Sequence, residues 1–441
     1  MKIIQKPMPA AETICGRQQD KNNSIYRQTK LCVTANCADG ILLFHTLTGM
    51  LVLLKDEQDW DLYRDKLFQN WFLVPESFDE MAFVDNVLKI AKLLYSNKNI
   101  NIYKNFFTIL TTTDCNARCY YCYEAGEKKL YMSEETAYDI ADYIIRESGG
   151  HDVQLRWFGG EPLMNPKVID LICGKLKHAG VGFSSLMITN GYLFDRNLVK
   201  KSVNMWNLKK VQITLDGTSE TYNKIKAIKE SADAYSRVIN NIELVRNAGM
   251  QVHIRLNVSS KNIPELMRLI DELSDYYPKK DGIYIYPSLI GDFKGITGRF
   301  KAENTDSDSF LTLKAKIKQS GFNSLIAPFQ REFKFNACKA DNAACEVILP
   351  DGSLCKCDHE LYKDVCGSIY SKERNFEKLS AWREQIKQPE CYNCALYPRC
   401  INLKKCALVN NNCEELLQTI RISTLKEQMI DAYNDWKETV I

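Results

Sequence analysis

Three cysteines in the stretch Thr113-Asp114-Cys115-Asn116-Ala117-Arg118-Cys119-Tyr120-Tyr121-Cys122-Tyr123-Glu124 carry the clearest chemical signal in the chain. Their spacing is Cys-x3-Cys-x2-Cys, directly after the apolar run Phe106-Phe107-Thr108-Ile109-Leu110. Three thiolates on one short loop can bind three irons of a 4Fe–4S cluster and leave the fourth iron without a protein ligand. Structural clusters take four cysteines, so an open iron points to chemistry rather than scaffolding. Zinc is the competing occupant, but a closed structural zinc site needs four ligands. No fourth Cys or His lies beside the triad.

Such a loop needs a frame, and the flanking sequence supplies one. Strand-like segments at 105–112, 152–158, 183–189, 209–215, 251–258 and 282–287 alternate with helical patterns near 133–147, 166–179, 195–204, 234–248 and 262–276. That alternation predicts a parallel α/β sheet with right-handed crossovers. Six strands predict an open, partial barrel rather than a closed eight-stranded one. Ligands in such folds bind outside the carboxyl ends of the strands, and the remaining polar motifs fall there. After the second strand comes Trp157-Phe158-Gly159-Gly160-Glu161-Pro162, where two glycines permit close backbone approach and Glu161 can accept from an ammonium group. After the third comes Ile188-Thr189-Asn190-Gly191, which by itself is also a turn signal. On the fourth strand Gln212, Thr214 and Asp216 share a face, and on the fifth His253, Arg255 and Asn257 do. A Gln, a hydroxyl and a carboxylate facing a cavity suit ribose hydroxyls, and Arg255 suits a carboxylate bound through two parallel bonds.

Composition narrows the setting. The chain has 441 residues, 45% hydrophobic and 26% charged, which allows two or three domains and a sizeable core. Its net charge of +3 gives no argument for nucleic acid or a membrane surface. Met1-Lys2-Ile3-Ile4-Gln5-Lys6-Pro7 turns polar too soon for a signal peptide, and no apolar run reaches spanning length. The expected location is therefore the cytosol, where thiols stay reduced. Seventeen cysteines in such a compartment read as metal ligands, and ten of them lie between Cys338 and Cys413. Residues 1 to about 25 carry no period and are expected to be loosely ordered. The runs 41–45 and 50–54 predict a hairpin, followed by helices over 56–67 and 79–95 around a short extended piece at 72–75.

The cysteine loop, Gly-Gly-Glu-Pro, Thr-Asn-Gly and Gln212-Ile213-Thr214-Leu215-Asp216-Gly217 occur in the order seen in radical S-adenosylmethionine (radical SAM) enzymes, and residues 105–260 resemble that family. The resemblance implies a partial (β/α)6 barrel over 104–290. It implies that Cys115, Cys119 and Cys122 hold a cluster whose open iron takes the methionine moiety of SAM. Reductive cleavage then yields a 5′-deoxyadenosyl radical. By the same resemblance Gly159, Gly160 and Glu161 hold the methionine amino group, Asn190 lies near the active site, and Tyr121 packs beside the adenine. Gln212, Thr214, Asp216 and Arg255 are the further cofactor-binding candidates.

The region 336–441 resembles a SPASM domain. Cys338-x13-Gly-x4-Cys357 matches its start, and Cys391-x2-Cys394-x5-Cys400-x5-Cys406-x6-Cys413 matches its end, with two extra residues before Cys406. The resemblance implies two auxiliary 4Fe–4S clusters, three in all. Cys391, Cys394, Cys400 and Cys413 would bind one; Cys338, Cys357 and Cys406 would bind the other. The fourth ligand of the latter is Cys345 or Cys355, or the position is open to substrate. Cys366 reads as structural, and a zinc ribbon competes at Cys391-x2-Cys394 alone. No catalytic acid or base is legible; His359 is the one candidate. Residues 1–103 resemble the winged precursor-recognition domains of peptide maturases, which add a leader peptide to a sheet edge; a simple lid over the barrel is the other reading. Residues 291–335 read as a bridging segment. The implied function is maturation of a ribosomally made precursor peptide by a thioether or other side-chain crosslink, with flavodoxin or ferredoxin as reductant. Formylglycine formation, as in anaerobic sulfatase-maturating enzymes, is the alternative, and a non-catalytic electron carrier the third.

Overall fold

The computed structural model describes residues 1–16, 18, 25–98, 103–229, 231–259, 261–290, 307–324, 329, 338–385, 388–400, 403–406 and 415–440. All six expected strands form: β1 (Phe106–Thr112), β2 (Val153–Gly159), β3 (Phe183–Thr189), β4 (Leu208–Leu215), β5 (Gln251–Val258) and β6 (Ile283–Leu289). Each pairs in parallel with the next. The helices Glu134–Ser148, Pro166–His178, Arg196–Asn204, Ala234–Asn247 and Ile263–Tyr276 cross between them. Three of the five starts are set by capping side chains: Ser133 accepts from Thr136 N–H, Asp195 from Leu198 N–H and Asp233 from Ser236 N–H; the other two carry a proline in the first turn. All seven residues of β1 are buried, as a parallel strand covered on both faces requires.

The sheet is wider than the six strands. Helix Ser307–Gln319 buries Phe310, Leu313 and Ile317, and β7 (Asn323–Ser324) then pairs in parallel with β6. On the other edge β8 (Cys345–Ile348) pairs in parallel with β1. It turns through Pro350-Asp351-Gly352 into β9 (Ser353–Cys355), which pairs with β10 (Gly367–Ser368). The ten strands run β7-β6-β5-β4-β3-β2-β1-β8-β9-β10. An eight-residue helix, Ser219–Lys226, also lies between β4 and the next crossover helix, where no helix was expected.

Glu346 on β8 joins the cysteine-rich region to the barrel. Its buried carboxylate meets Lys104 Nζ at 2.8 Å, Arg374 Nη1 at 2.9 Å and the Tyr143 hydroxyl. Burial alone would raise this carboxyl, but Lys104 and Arg374 hold it below its usual range. A lowered folded-state value stabilises the protein above the unfolded value, and that stability is lost as pH falls through the folded value. Glu346→Gln leaves two cations short of their partner and is expected to cost about 3–5 kcal/mol. A denaturant melt checks this, and the difference from wild type should shrink on acidification.

The amino-terminal region forms an antiparallel sheet of Lys2–Gln5, Met50–Leu54, Gly40–His45 and Cys32–Cys37, in that spatial order. The expected hairpin pairs Leu42 with Leu53 and Phe44 with Leu51. Against expectation, the first residues are ordered: Lys2–Gln5 pairs with the hairpin and Pro9–Cys15 is helical. Backbone pairing along the hairpin edge supplies what the polar sequence did not advertise. The expected 56–67 helix is broken into Asp59–Leu62 and Arg64–Gln69, and the expected 79–95 helix runs Glu80–Lys98. One sheet face packs Val33, Ala35, Leu42, Phe44 and Leu51 against Leu425, Met429 and Tyr433 of the final helix, Glu415–Val440. The other packs Leu43, Val52 and Leu54 against Leu67 and Phe72. Burial on both faces explains why Met50–Leu54 is apolar at every position. Among the described residues no helix is long and apolar enough to cross a membrane.

Candidate active site

The cysteine loop leaves the carboxyl end of β1 and is held from three sides. Thr113 N–H donates to Leu130 O at 3.0 Å, and Leu130 N–H returns to Thr113 Oγ1 at 2.8 Å. From the end of β2, Gly160 N–H donates to Thr112 O at 3.1 Å and Glu161 N–H to Asp114 O at 2.9 Å. From the end of the Ser219–Lys226 helix, Lys226 O accepts from Arg118 N–H at 2.7 Å, and Lys229 N–H donates to Asn116 O at 3.0 Å.

The two glycines serve this contact. A Cβ on Gly160 would lie 2.2 Å from Asp114 O. One on Gly159, whose φ is +116°, would lie 2.1 Å from Thr112 O. Glu161 is wholly buried. Its Oε1 accepts from Leu163 N–H at 3.1 Å and Thr189 Oγ1 at 2.7 Å, and Oε2 accepts from Asn190 N–H at 2.8 Å. Burial pushes the carboxyl up, and these bonds oppose the shift. A carboxylate has about four acceptor positions, so Oε2 keeps one for an ammonium group. Asn190 Nδ2 donates to Asn116 Oδ1 at 2.7 Å and lies 3.9 Å from Cys115 Sγ, tying β3 to the loop.

Cys115, Cys119 and Cys122 are half-buried and free. Burial pushes the thiols of Cys115 and Cys122 up to about 12, and the other loop thiols and nearby carboxylates add to it. They are poor anions until a metal takes the proton's place. Three soft sulfur donors on one loop fit an iron–sulfur cluster.

The alternation expected on β4 and β5 holds, and register sets the rows. Gln212 lies opposite His253, Thr214 opposite Arg255, and Arg255 opposite Tyr286 on β6. Tyr286 donates its hydroxyl to Gln212 Oε1 at 2.8 Å. Arg255 Nε is buried without a hydrogen-bond partner among the described residues. A buried guanidinium donor left unpaired is costly and fits an anionic ligand group such as the methionine carboxylate. Asp216 is already engaged: Tyr121 donates to both its oxygens at 2.8 Å, Asn257 Nδ2 at 3.1 Å and Lys226 Nζ at 3.0 Å.

The structure also gathers the carboxy-terminal cysteines. Cys338, Cys357 and Cys406 pack round Ala340, Trp382 and Leu403. Cys345 is buried on β8, where Lys356 Nζ donates to its carbonyl at 2.6 Å, and burial raises its thiol. Cys355 instead sits in an apolar cluster with Leu110, Phe158, Val347 and Leu361. Cys366 is buried, with its Sγ 3.4 Å from Leu354 O. Cys391 and Cys394 pack beside Tyr397 and the amino-terminal residues Leu31, Leu47 and Val84, and Cys400 follows in the same segment. Cys413 lies outside the described residues. Sequence reading missed three groups. Lys226 is buried at the cysteine loop. Arg156, a charge in the middle of buried β2, pairs with Asp358 at 2.5 Å; its position in an apolar strand was the available signal. Tyr123, next to Cys122, stacks on His359 with ring centroids 4.4 Å apart, and His359 follows Cys357 and Asp358.

Residues 109–286 match the Radical SAM superfamily. Fe-coproporphyrin III synthase of Methanosarcina barkeri is 29% identical over 166 residues, 37% of this chain and 39% of the relative, so the match spans less than half of that protein. A cysteine-type anaerobic sulfatase-maturating enzyme of Clostridium novyi is 23% identical over 329 residues, 66% of this chain and 84% of the relative. The structure of Streptococcus suis SuiB bound to precursor peptide SuiA superposes with a TM-score of 0.52 at 15% identity, covering 89% of this chain and 100% of that one. The cysteine loop at the end of β1 and the glutamate turn after β2 both lie inside the matched segment 109–286, so the radical SAM likeness covers the candidate SAM and 4Fe–4S site itself. The fold of the chain, barrel and cysteine-rich carboxy-terminal region together, is the one SuiB has.

Proposed function

We propose that this enzyme matures a ribosomally made precursor peptide by forming a thioether or another side-chain crosslink. Cys115, Cys119 and Cys122 hold the cluster; Glu161 and Arg255 take the amino and carboxylate groups of SAM. When bound there, a reduced cluster with SAM would supply the radical chemistry for hydrogen-atom removal from a peptide residue. The inner faces of β4 to β6 orient the nucleoside, and the buried turn of Glu161 excludes water. Cys338, Cys357 and Cys406 are three ligands of one auxiliary cluster, with Cys345 and Cys355 as the candidates for the fourth. Cys391, Cys394, Cys400 and Cys413 are the set for the other.

One observation carries the peptide reading. The amino-terminal region sits on the auxiliary-cluster segment: Ala395 and Leu396 pack against the sheet, and beside it Thr46 Oγ1 donates to Ala395 O at 2.5 Å, Lys30 Nζ to Asn393 Oδ1 at 2.8 Å, and Tyr397 to Asp85 of helix Glu80–Lys98 at 2.7 Å. A recognition sheet docked on a redox module suits a substrate held by its leader. SuiB, of the same fold, binds a precursor peptide. The sulfatase-maturating relative keeps formylglycine formation as the second reading. The test is anaerobic reaction of the reconstituted enzyme with SAM and the short peptides encoded beside its gene, read by mass spectrometry. A loss of about 2 Da per modification, without a carbonyl, is expected for a crosslink. Conversion of a sulfatase Cys or Ser peptide to an aldehyde, with the neighbouring peptides unchanged, would favour the second reading.

A further inference from the structure

Lys226 is the strongest unexplained group in the molecule. Its side chain is 4% exposed and its partner Asp216 is 1% exposed. Lysine is almost never buried to this degree without a paired charge, and a buried pair costs desolvation that its attraction seldom exceeds. Retaining one therefore calls for a reason beyond stability.

The surroundings supply it. Lys226 ends its helix, and Ala227 turns into the left-handed region with φ +42°. That turn aims the Lys226 carbonyl and the Lys229 N–H at the cysteine loop, where they bond Arg118 and Asn116. The ammonium reaches past the backbone to Tyr121 Oη at 3.0 Å and Asp216 Oδ2 at 3.0 Å. It lies 5.6 Å from the Tyr121 ring centroid and 5.9 Å from that of Tyr222. Because Lys226 O bonds the N–H of Arg118, the residue before Cys119, at 2.7 Å, the lysine is fixed beside that cysteine. One side chain thus touches the residue between two loop cysteines and the carboxylate at the end of β4.

We infer that Lys226 is a positioning residue with two effects: it fixes Tyr121 and Asp216 around the SAM site, and it sets a fixed positive charge beside the Cys119 corner of the cluster. A cation there favours the reduced, more negative form, since cluster potentials follow net charge and hydrogen bonding. The inference rests on the triad as cluster ligands.

The test uses the full chain reconstituted with iron and sulfide, titrated for cluster potential by electron paramagnetic resonance and for SAM affinity by equilibrium binding. K226Q is expected to shift the potential of the SAM-binding cluster downward and weaken SAM about tenfold, about 1.4 kcal/mol, with the auxiliary clusters unchanged. K226R should recover most of both. D216N, which keeps the cation and removes its counter-charge, should shift the potential upward; it carries the test if K226Q does not fold. Unchanged potentials in K226Q, or in D216N if that alone folds, overturn the inference, as does a K226R no better than K226Q. If the variant lacking all three loop cysteines keeps its iron, the triad reading itself fails. If it loses iron while K226Q behaves as wild type, only the role of Lys226 fails.

Discussion

Replacing Cys115, Cys119 and Cys122 together by alanine lowers the iron content of the reconstituted enzyme by about four per chain and abolishes 5′-deoxyadenosine formation. Iron at the proposed auxiliary sites is expected to remain, because Cys338, Cys357 and Cys406 assemble round Ala340, Trp382 and Leu403, apart from the loop. The fold also survives. The loop is held by backbone bonds to Leu130, Gly160, Glu161, Lys226 and Lys229 that do not involve sulfur. Iron analysis and chromatography of the reaction products check both halves. Undiminished deoxyadenosine from the triple variant would sink the assignment of these cysteines.

Gly160→Ala produces the second large effect, and it acts through the backbone. The new methyl group would stand 2.2 Å from Asp114 O and 3.0 Å from the Thr113 carbonyl carbon. Neither atom is the end of a flexible side chain, so the glutamate turn and the cysteine loop must separate. Overpacking of this kind costs about 1–3 kcal/mol. The functional loss is larger than the stability loss. The displacement falls where Glu161 N–H bonds Asp114 O, and so misplaces the Glu161 carboxylate and the loop cysteines together. SAM binding is expected to fail while the auxiliary clusters load normally. Gly174→Ala is the control: in helix Pro166–His178 its Cβ meets nothing within 4 Å. It should stabilise by about 0.5–1 kcal/mol. Thermal melts and SAM titration of the two variants separate the outcomes.

Much of the barrel was legible because its signals are local. Strand and helix boundaries follow from hydrophobic period and capping residues, and β4 shows Gln212, Thr214 and Asp216 on one face by alternation alone. What was missed is non-local. Nothing near Cys345 announces that its strand pairs with Phe106, more than two hundred residues earlier. Nothing in Lys2–Gln5 shows that the hairpin edge will order it. Only the assembled molecule lays Leu425 and Met429 of the final helix on the amino-terminal sheet. Lys226 carries no local signal, because a lysine in a polar stretch is usually solvated.

The sequence by itself determined the donor types and their spacing: three cysteines on one loop, a glutamate after two glycines, and a dense set of cysteines near the carboxy terminus. Ligand identity and short-range geometry are properties of neighbouring residues, so they survive in one dimension. Tertiary structure alone decided that Asp216 is met by Tyr121, Asn257 and Lys226. It also set Cys355 in the apolar core and docked the Cys391–Cys400 segment on the amino-terminal region. Those outcomes depend on strand register and on which faces are buried, and both are settled only when distant segments pack.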